Sequence, residues 1–172
     1  MESQKELTNA SPYYGFTGKQ ILMLLVAALG YFVDVYDLLI FGAERVESLQ
    51  AIGVAKENMK DVGIKILNFQ MAGLILGGFL FGILADKLGR LKVLFASILL
   101  YSLANIGNAF VTNVTQFEIA RFFAGIGLAG ELGVALSWIS ESLERKQRTI
   151  ATMMVSAIGL FGGIAAALVG EA

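Results

Sequence analysis

The sequence predicts an all-α integral membrane protein with five transmembrane helices, and three observations predict it. Of its 172 residues, 56% are hydrophobic and 16% charged, with a mean hydropathy of +0.71. A globular domain carries about 45–50% apolar and about 25% charged residues. Three long stretches hold no charge: Ile66–Ala85, Val93–Phe117 and Ile150–Gly170. Two more, Gln20–Ala43 and Phe117–Ser140, have the same length and apolarity but carry a few charges inside them. A bilayer core about 30 Å thick is crossed by a helix of about 20 mostly apolar residues. Helices in soluble domains are shorter, nearer about 10–14.

Residues 1–19 open the chain and mix Glu2 and Glu6 with Lys5 and Lys19, around Ser11, Pro12 and Gly15. They read as a cytoplasmic N-terminal tail. The apolar run that follows is too long for the core of a cleaved signal peptide. Pro12 is the only proline, so no helix is kinked by one. Residues 20–172 then read as one helical bundle, with spans at about 20–43, 64–85, 93–111, 117–140 and 150–170. Thr112, Asn113, Thr115 and Gln116 mark a short turn, and Glu44–Lys65 a longer loop. Lysine and arginine in short loops set the orientation. Lys5, Lys19, Lys87, Arg90, Lys92, Arg145, Lys146 and Arg148 lie on one side; Arg45, Lys56, Lys60 and Lys65 lie on the other. The first side is expected to be cytoplasmic, making this a multi-pass protein of the cell (inner) membrane.

The composition excludes much chemistry. With no histidine and no cysteine there are no Cys/His zinc sites, no haem ligation by His, no disulfides and no thiol or Ser-His catalysis. No enzyme, metal or other cofactor is expected. A net charge of −1 offers no basic surface for nucleic acid. Proton handling falls to Asp and Glu, because no side chain here ionises near neutrality when unperturbed.

The charges inside the spans therefore stand out. Asp34 and Asp37, three residues apart, share one face of the first span. Two aspartates mid-helix cost about 5–7 kcal/mol on the insertion scale. The thirteen Leu, Ile, Phe and Val residues from Ile21 to Phe41 offset this by about 4–8 kcal/mol. Such residues are expected to face a partner or a water-filled cavity, and removal from water favours the neutral form of a carboxyl, the property a reversible proton carrier uses. At 1.5 Å per residue, Asp34 and Asp37 lie about 21 and 26 Å from Gln20. Arg121, entering from the other side about 6 Å below Phe117, falls near the depth of Asp37; Glu131 lies deeper. A static ion pair that merely positions helices remains the plainer reading. Tyr31, Tyr36, Gln70 and Trp138 could hydrogen-bond a solute or simply pack. The glycines of the second, fourth and fifth spans are explained by close helix crossing.

The most specific string is Gly82-Ile-Leu-Ala-Asp86-Lys-Leu-Gly89-Arg90-Leu-Lys92. Gly89 permits a sharp reversal, Gly82 lets another helix approach closely, and Asp86 and Arg90 set opposite charges one turn apart. With Leu84, Ala85, Lys87 and Leu94 in register, this stretch resembles the signature between the second and third helices of the major facilitator superfamily. Leu91 stands at a commonly basic place. The stretch Arg121-Phe-Phe-Ala-Gly125-Ile-Gly127-Leu-Ala-Gly130-Glu131, followed by Ile139, Glu141, Arg145 and Arg148, is similar to the family's fourth helix and following loop, with Ala129 and Gly133 departing from the usual Gly and Pro. The resemblance runs from Gln20 to Gly170 and is nearest to the metabolite, phosphate and sugar proton symporter branches.

The resemblance implies five helices of the six-helix N-terminal half of a major facilitator fold, with two inverted three-helix repeats, the second beginning near Phe117. It implies a secondary active transporter working by alternating access, and it places the first and fourth helices side by side on the central cavity. Asp37–Arg121 or Asp34–Arg121 pairing follows, with the other aspartate free to titrate. Proton coupling carries over onto Asp34 and Glu131, and less directly onto Asp37. Gly82, Asp86, Gly89, Arg90, Glu141 and Arg145 are expected in a cytoplasmic gating motif. There, a Glu141–Arg90 pair competes with a plain solvated helix end. The implied partners are protons, the lipid bilayer, a missing C-terminal half (in the same longer chain or a second subunit), and a small polar solute: organic anion, phosphate or sugar, in that order. The competing class is a non-transporting membrane subunit or sensor that keeps the scaffold.

Overall fold

The computed structural model describes residues 15–170 and is a bundle of five long helices. They are α1 (Gly18–Ala51), α2 (Met59–Leu88), α3 (Arg90–Asn108), α4 (Val114–Ser142) and α5 (Arg145–Gly170), with a single 3₁₀ turn at Lys56–Asn58. All five are long and apolar enough to cross a membrane. Most of the tail expected over residues 1–19 lies outside the described residues; α1 begins inside its last part.

Local sequence explains the ends. Thr17 caps α1 through a capping box: its hydroxyl accepts from the Gln20 amide at 3.4 Å, and Gln20 Oε1 accepts from the Thr17 amide at 2.8 Å. Asn113 caps α4 through its side chain alone, accepting from the Gln116 amide at 2.9 Å. One residue, Gly89, separates α2 from α3, and its φ of +92° is a conformation only glycine adopts without strain.

The helices are longer than the apolar spans, which corrects the expected loop at Glu44–Lys65. α1 continues to Ala51 and α2 starts at Met59, leaving only a short connection containing Gly53. At 34 residues α1 is about 51 Å long, well beyond the bilayer core. Hydropathy falls where the charges begin, but the helix propagates because its continuation still buries apolar surface. Leu49, Phe41, Met59, Ile66 and Phe117 form a separate small core at this end. The other spans shift by a few residues: α2 also runs on to Leu88, α4 starts at its cap rather than at 117, and α3 and α5 begin at Arg90 and Arg145.

α4 is the centre of one group, packed along α2 and α3, whereas α1 packs along α5 and meets α4 on a narrower seam. Both main crossings depend on glycine. A Cβ on Gly73 or Gly77 of α2 would run into the backbone of Phe122 or Ile126, and one on Gly125 of α4 into the Gln70 carbonyl. On the other side, Gly159 and Gly162 of α5 take up the Tyr31 ring and the Phe32 carbonyl of α1. Replacing α2 and α4 by α5 and α1 maps the first crossing onto the second, the relation that two inverted repeats require. The outer faces are apolar and open, with Phe79 at 71%, Phe110 at 77% and Leu168 at 68% exposure. That is the surface a lipid-embedded helix presents.

Candidate functional site: charges within the bundle

α1 and α4 bring together the four ionisable residues singled out inside their spans. Arg121 donates from Nη1 to Asp37 Oδ2 at 3.2 Å, so of the two pairings left open by the sequence it is Asp37 that is engaged. Arg121 is 6% exposed. Its guanidinium lies 3.9 Å from the centre of the Phe41 ring and 5.9 Å from that of Phe117, within cation–π range. Tyr101 of α3 reaches the same region, beside Asp37 and Asn105.

Asp34, one turn away, is 1% exposed, and neither of its carboxyl oxygens has a hydrogen-bond partner among the described residues. Its charged neighbours are Glu131 and Asp37. Glu131, half-buried on α4, lays its carboxyl against the backbone of α1 at Gly30. Asp34 and Glu131 both line a cavity of about 20 Å³ closed by Tyr31, Leu94, Ile98 and Trp138. That volume holds about one water molecule. It adjoins a groove of about 190 Å³ between α1, α4 and α5, and the two share Ala27, Tyr31, Leu132 and Ala135. Asp34 sits inside the packing of α1, α3 and α4, facing only this small cavity. Glu131 and the Asp37–Arg121 pair stand nearer the surface.

A second charged group sits at the α2–α3 turn. Arg90 Nη2 lies 2.6 Å from Glu141 Oε1 and 2.9 Å from Asp86 Oδ1, and Arg90 Nε donates to both Glu141 oxygens at 3.2 Å. α2, α3 and α4 are thus joined at one end. Arg145 is exposed at the start of α5, and no ion pair joins it to this group among the described residues. Gly82 does not sit under a neighbouring helix: a Cβ there would meet nothing within 4 Å, and the same holds for Gly78 and Gly133. These three glycines, with Arg90, line an open groove of about 230 Å³.

Sequence reasoning passed over one buried group and left the role of another open. Glu118 of α4, 5% exposed, is held by Lys65 of α2 at 2.9 Å; the signal was an acid one turn before Arg121 on the same helix. Gln70, fully buried, has no hydrogen-bond partner on its side-chain amide, and nothing in a linear reading separates it from a packing residue.

Polytopic helices, glycine-mediated inverted crossings and ion pairs both between helices and at the α2–α3 turn define a membrane protein of transporter architecture. Residues 51–172 match the family model of the Major Facilitator Superfamily, and the chain belongs to that family. It is 36% identical over 151 residues to a Bacillus subtilis protein named for niacin/nicotinamide transport, covering 86% of this chain and 36% of that one. It is 29% identical over 155 residues to a benzoate transport protein of Acinetobacter baylyi, covering 87% and 32%. It is 27% identical over 155 residues to a gentisate transporter of Corynebacterium glutamicum, covering 90% and 34%. The chain spans about a third of the length of these curated relatives.

Proposed function

We propose that the protein is part of a secondary active transporter that moves a small organic anion across the membrane by alternating access, with protons as the coupling ion. The observation that carries this reading is Asp34. A buried carboxyl in a purely structural role is normally satisfied by donors, whereas both oxygens of Asp34 lack them among the described residues. A group that exchanges a proton between two states of the protein has reason to stand apart. Asp37, held by Arg121, is the less direct participant, and Glu131 shares the cavity with Asp34.

Arg121 supplies the positive charge an anion requires. The solutes named for the relatives, niacin, benzoate and gentisate, are small aromatic acids, which ranks an organic anion ahead of phosphate or a sugar. Asp86, Gly89, Arg90 and Glu141, with Arg145 nearby, are proposed as the cytoplasmic latch of the outward-open state. The groove at Gly82 would receive a helix of the other half of the transporter, whether in the same chain or a second subunit. The excess of Lys and Arg on the side of the N-terminus supports a cytoplasmic N-terminus, with the cell membrane as the proposed location.

The test is uptake of radiolabelled benzoate by the full-length protein in liposomes under an imposed pH gradient. Asp34→Asn is expected to abolish gradient-driven accumulation while exchange of labelled for unlabelled benzoate continues. Accumulation that keeps its pH dependence in the variant removes Asp34 as the proton carrier. Failure of the unaltered protein to move benzoate, nicotinate, phosphate or sugar favours the non-transporting subunit.

A further inference from the structure

Gly30 sits in the middle of α1, where alanine would be the better helix former. No backbone turn requires it and no neighbouring backbone crowds it. Among the described residues, the only atoms near a Cβ placed there belong to one side chain: Glu131 Oε1 at 2.6 Å and Glu131 Cδ at 3.6 Å. At Gly73, Gly77 and Gly125 the obstacle is backbone, and at Gly130 and Gly159 it is a packed aromatic ring. At Gly30 it is the far end of a flexible carboxylate, which can move aside. The glycine is therefore not needed for α1 and α4 to pack. It makes room for the Glu131 carboxyl to lie flat on α1, one turn from Asp34 on the same helix.

We infer that Gly30 is a positioning residue that holds the Glu131 carboxyl beside Asp34, so that the two share one proton across the single-water cavity between them. The inference rests on the proposed proton coupling but concerns the pair itself. The proton passes from the O–H of one acid through the water to the carboxylate of the other, leaving their summed charge unchanged. The other titratable or charged groups around the pair are Tyr31 and Asp37 of α1, Tyr101 of α3 and Arg121 of α4; among the described residues α2 and α5 send none to the cavity.

Trp138 lines the same cavity and is the only tryptophan in the sequence. Its fluorescence, taken as the difference between the full-length protein and its Trp138→Phe variant in nanodiscs, reports on the pair without any transport. Titrated from about pH 4 to about pH 9, the signal is expected to show one step. Gly30→Ala should displace Glu131 and move that midpoint by about half a pH unit or more toward acid, because a carboxylate relieved of a like-charged neighbour ionises more readily. Gly42→Ala, on the same helix with nothing within 4 Å of its Cβ, controls for helix propensity and should leave the midpoint in place. In a Glu131→Ala background Gly30→Ala should add nothing. A flat signal in the unaltered protein, a Gly30→Ala curve that overlays it, or an equal shift from Gly42→Ala overturns the inference. If uptake proves independent of pH while Gly30→Ala still moves the midpoint, the coupling reading fails and the positioning role stands.

Discussion

The charged group at the α2–α3 turn and the one between α1 and α4 use the same chemistry in different media. At the turn, Asp86 is 68% and Glu141 53% exposed around an Arg90 that is itself 23% exposed. Inside the bundle, Arg121 and Asp37 are 7% and 19% exposed at their side chains, and Asp34 is sealed. Water already solvates the first set, so making or breaking those bonds changes little. The second set has no such alternative, and removing one partner strands the other. The difference suits a division of labour: bonds that open readily at a gate, and charges within the membrane whose states are tightly linked to their neighbours.

Three substitutions, two of them with a compensating second change, sharpen that contrast. Arg121→Met leaves Asp37 without its cation inside the bundle and should destabilise the protein by about 3–5 kcal/mol, read as a lowered unfolding midpoint in detergent. Adding Asp37→Leu should recover part of the loss, because the Asp37 carboxylate is then no longer stranded. Lys65→Met is the intermediate case, since Lys65 is 62% exposed but the Glu118 it covers is 6%. A loss of about 1–3 kcal/mol is expected, relieved by Glu118→Gln. Arg90→Gln should have the smallest effect on stability, leaving the unfolding midpoint nearly unchanged and insensitive to added salt. It should nevertheless alter the distribution between inward- and outward-open states, measured by accessibility of introduced cysteines. A large loss of stability from Arg90→Gln, or none from Arg121→Met, would reverse the comparison.

Much of the frame was legible because membrane insertion acts on local composition. The three charge-free runs and the two charged ones correspond to α2, α3, α5, α1 and α4. The depth of Arg121 relative to Asp37 followed from helical rise alone. Rise could not choose between Asp37 and Asp34, which lie one turn apart on one face; the choice belongs to the tilt and rotation of α1 against α4. The continuation of α1 to Ala51 was hidden because hydropathy reports what lipid accepts. It does not report what Leu49 finds against Met59 and Ile66. The roles of Gly30 and Gly82 could not be told apart either: both are glycines in helices, yet one receives a carboxylate and the other faces an open groove.

Linear order determined the number of spans, their apolar centres, and which ionisable groups had to enter the membrane, since each depends on a residue and its near neighbours in the chain. Three-dimensional packing decided that Arg121 takes Asp37, that Asp34 is enclosed with Glu131, and that α4 gathers α2 and α3 while α1 turns to α5. Those outcomes depend on how close two backbones can approach and at what rotation, and distant glycines on different helices set both together.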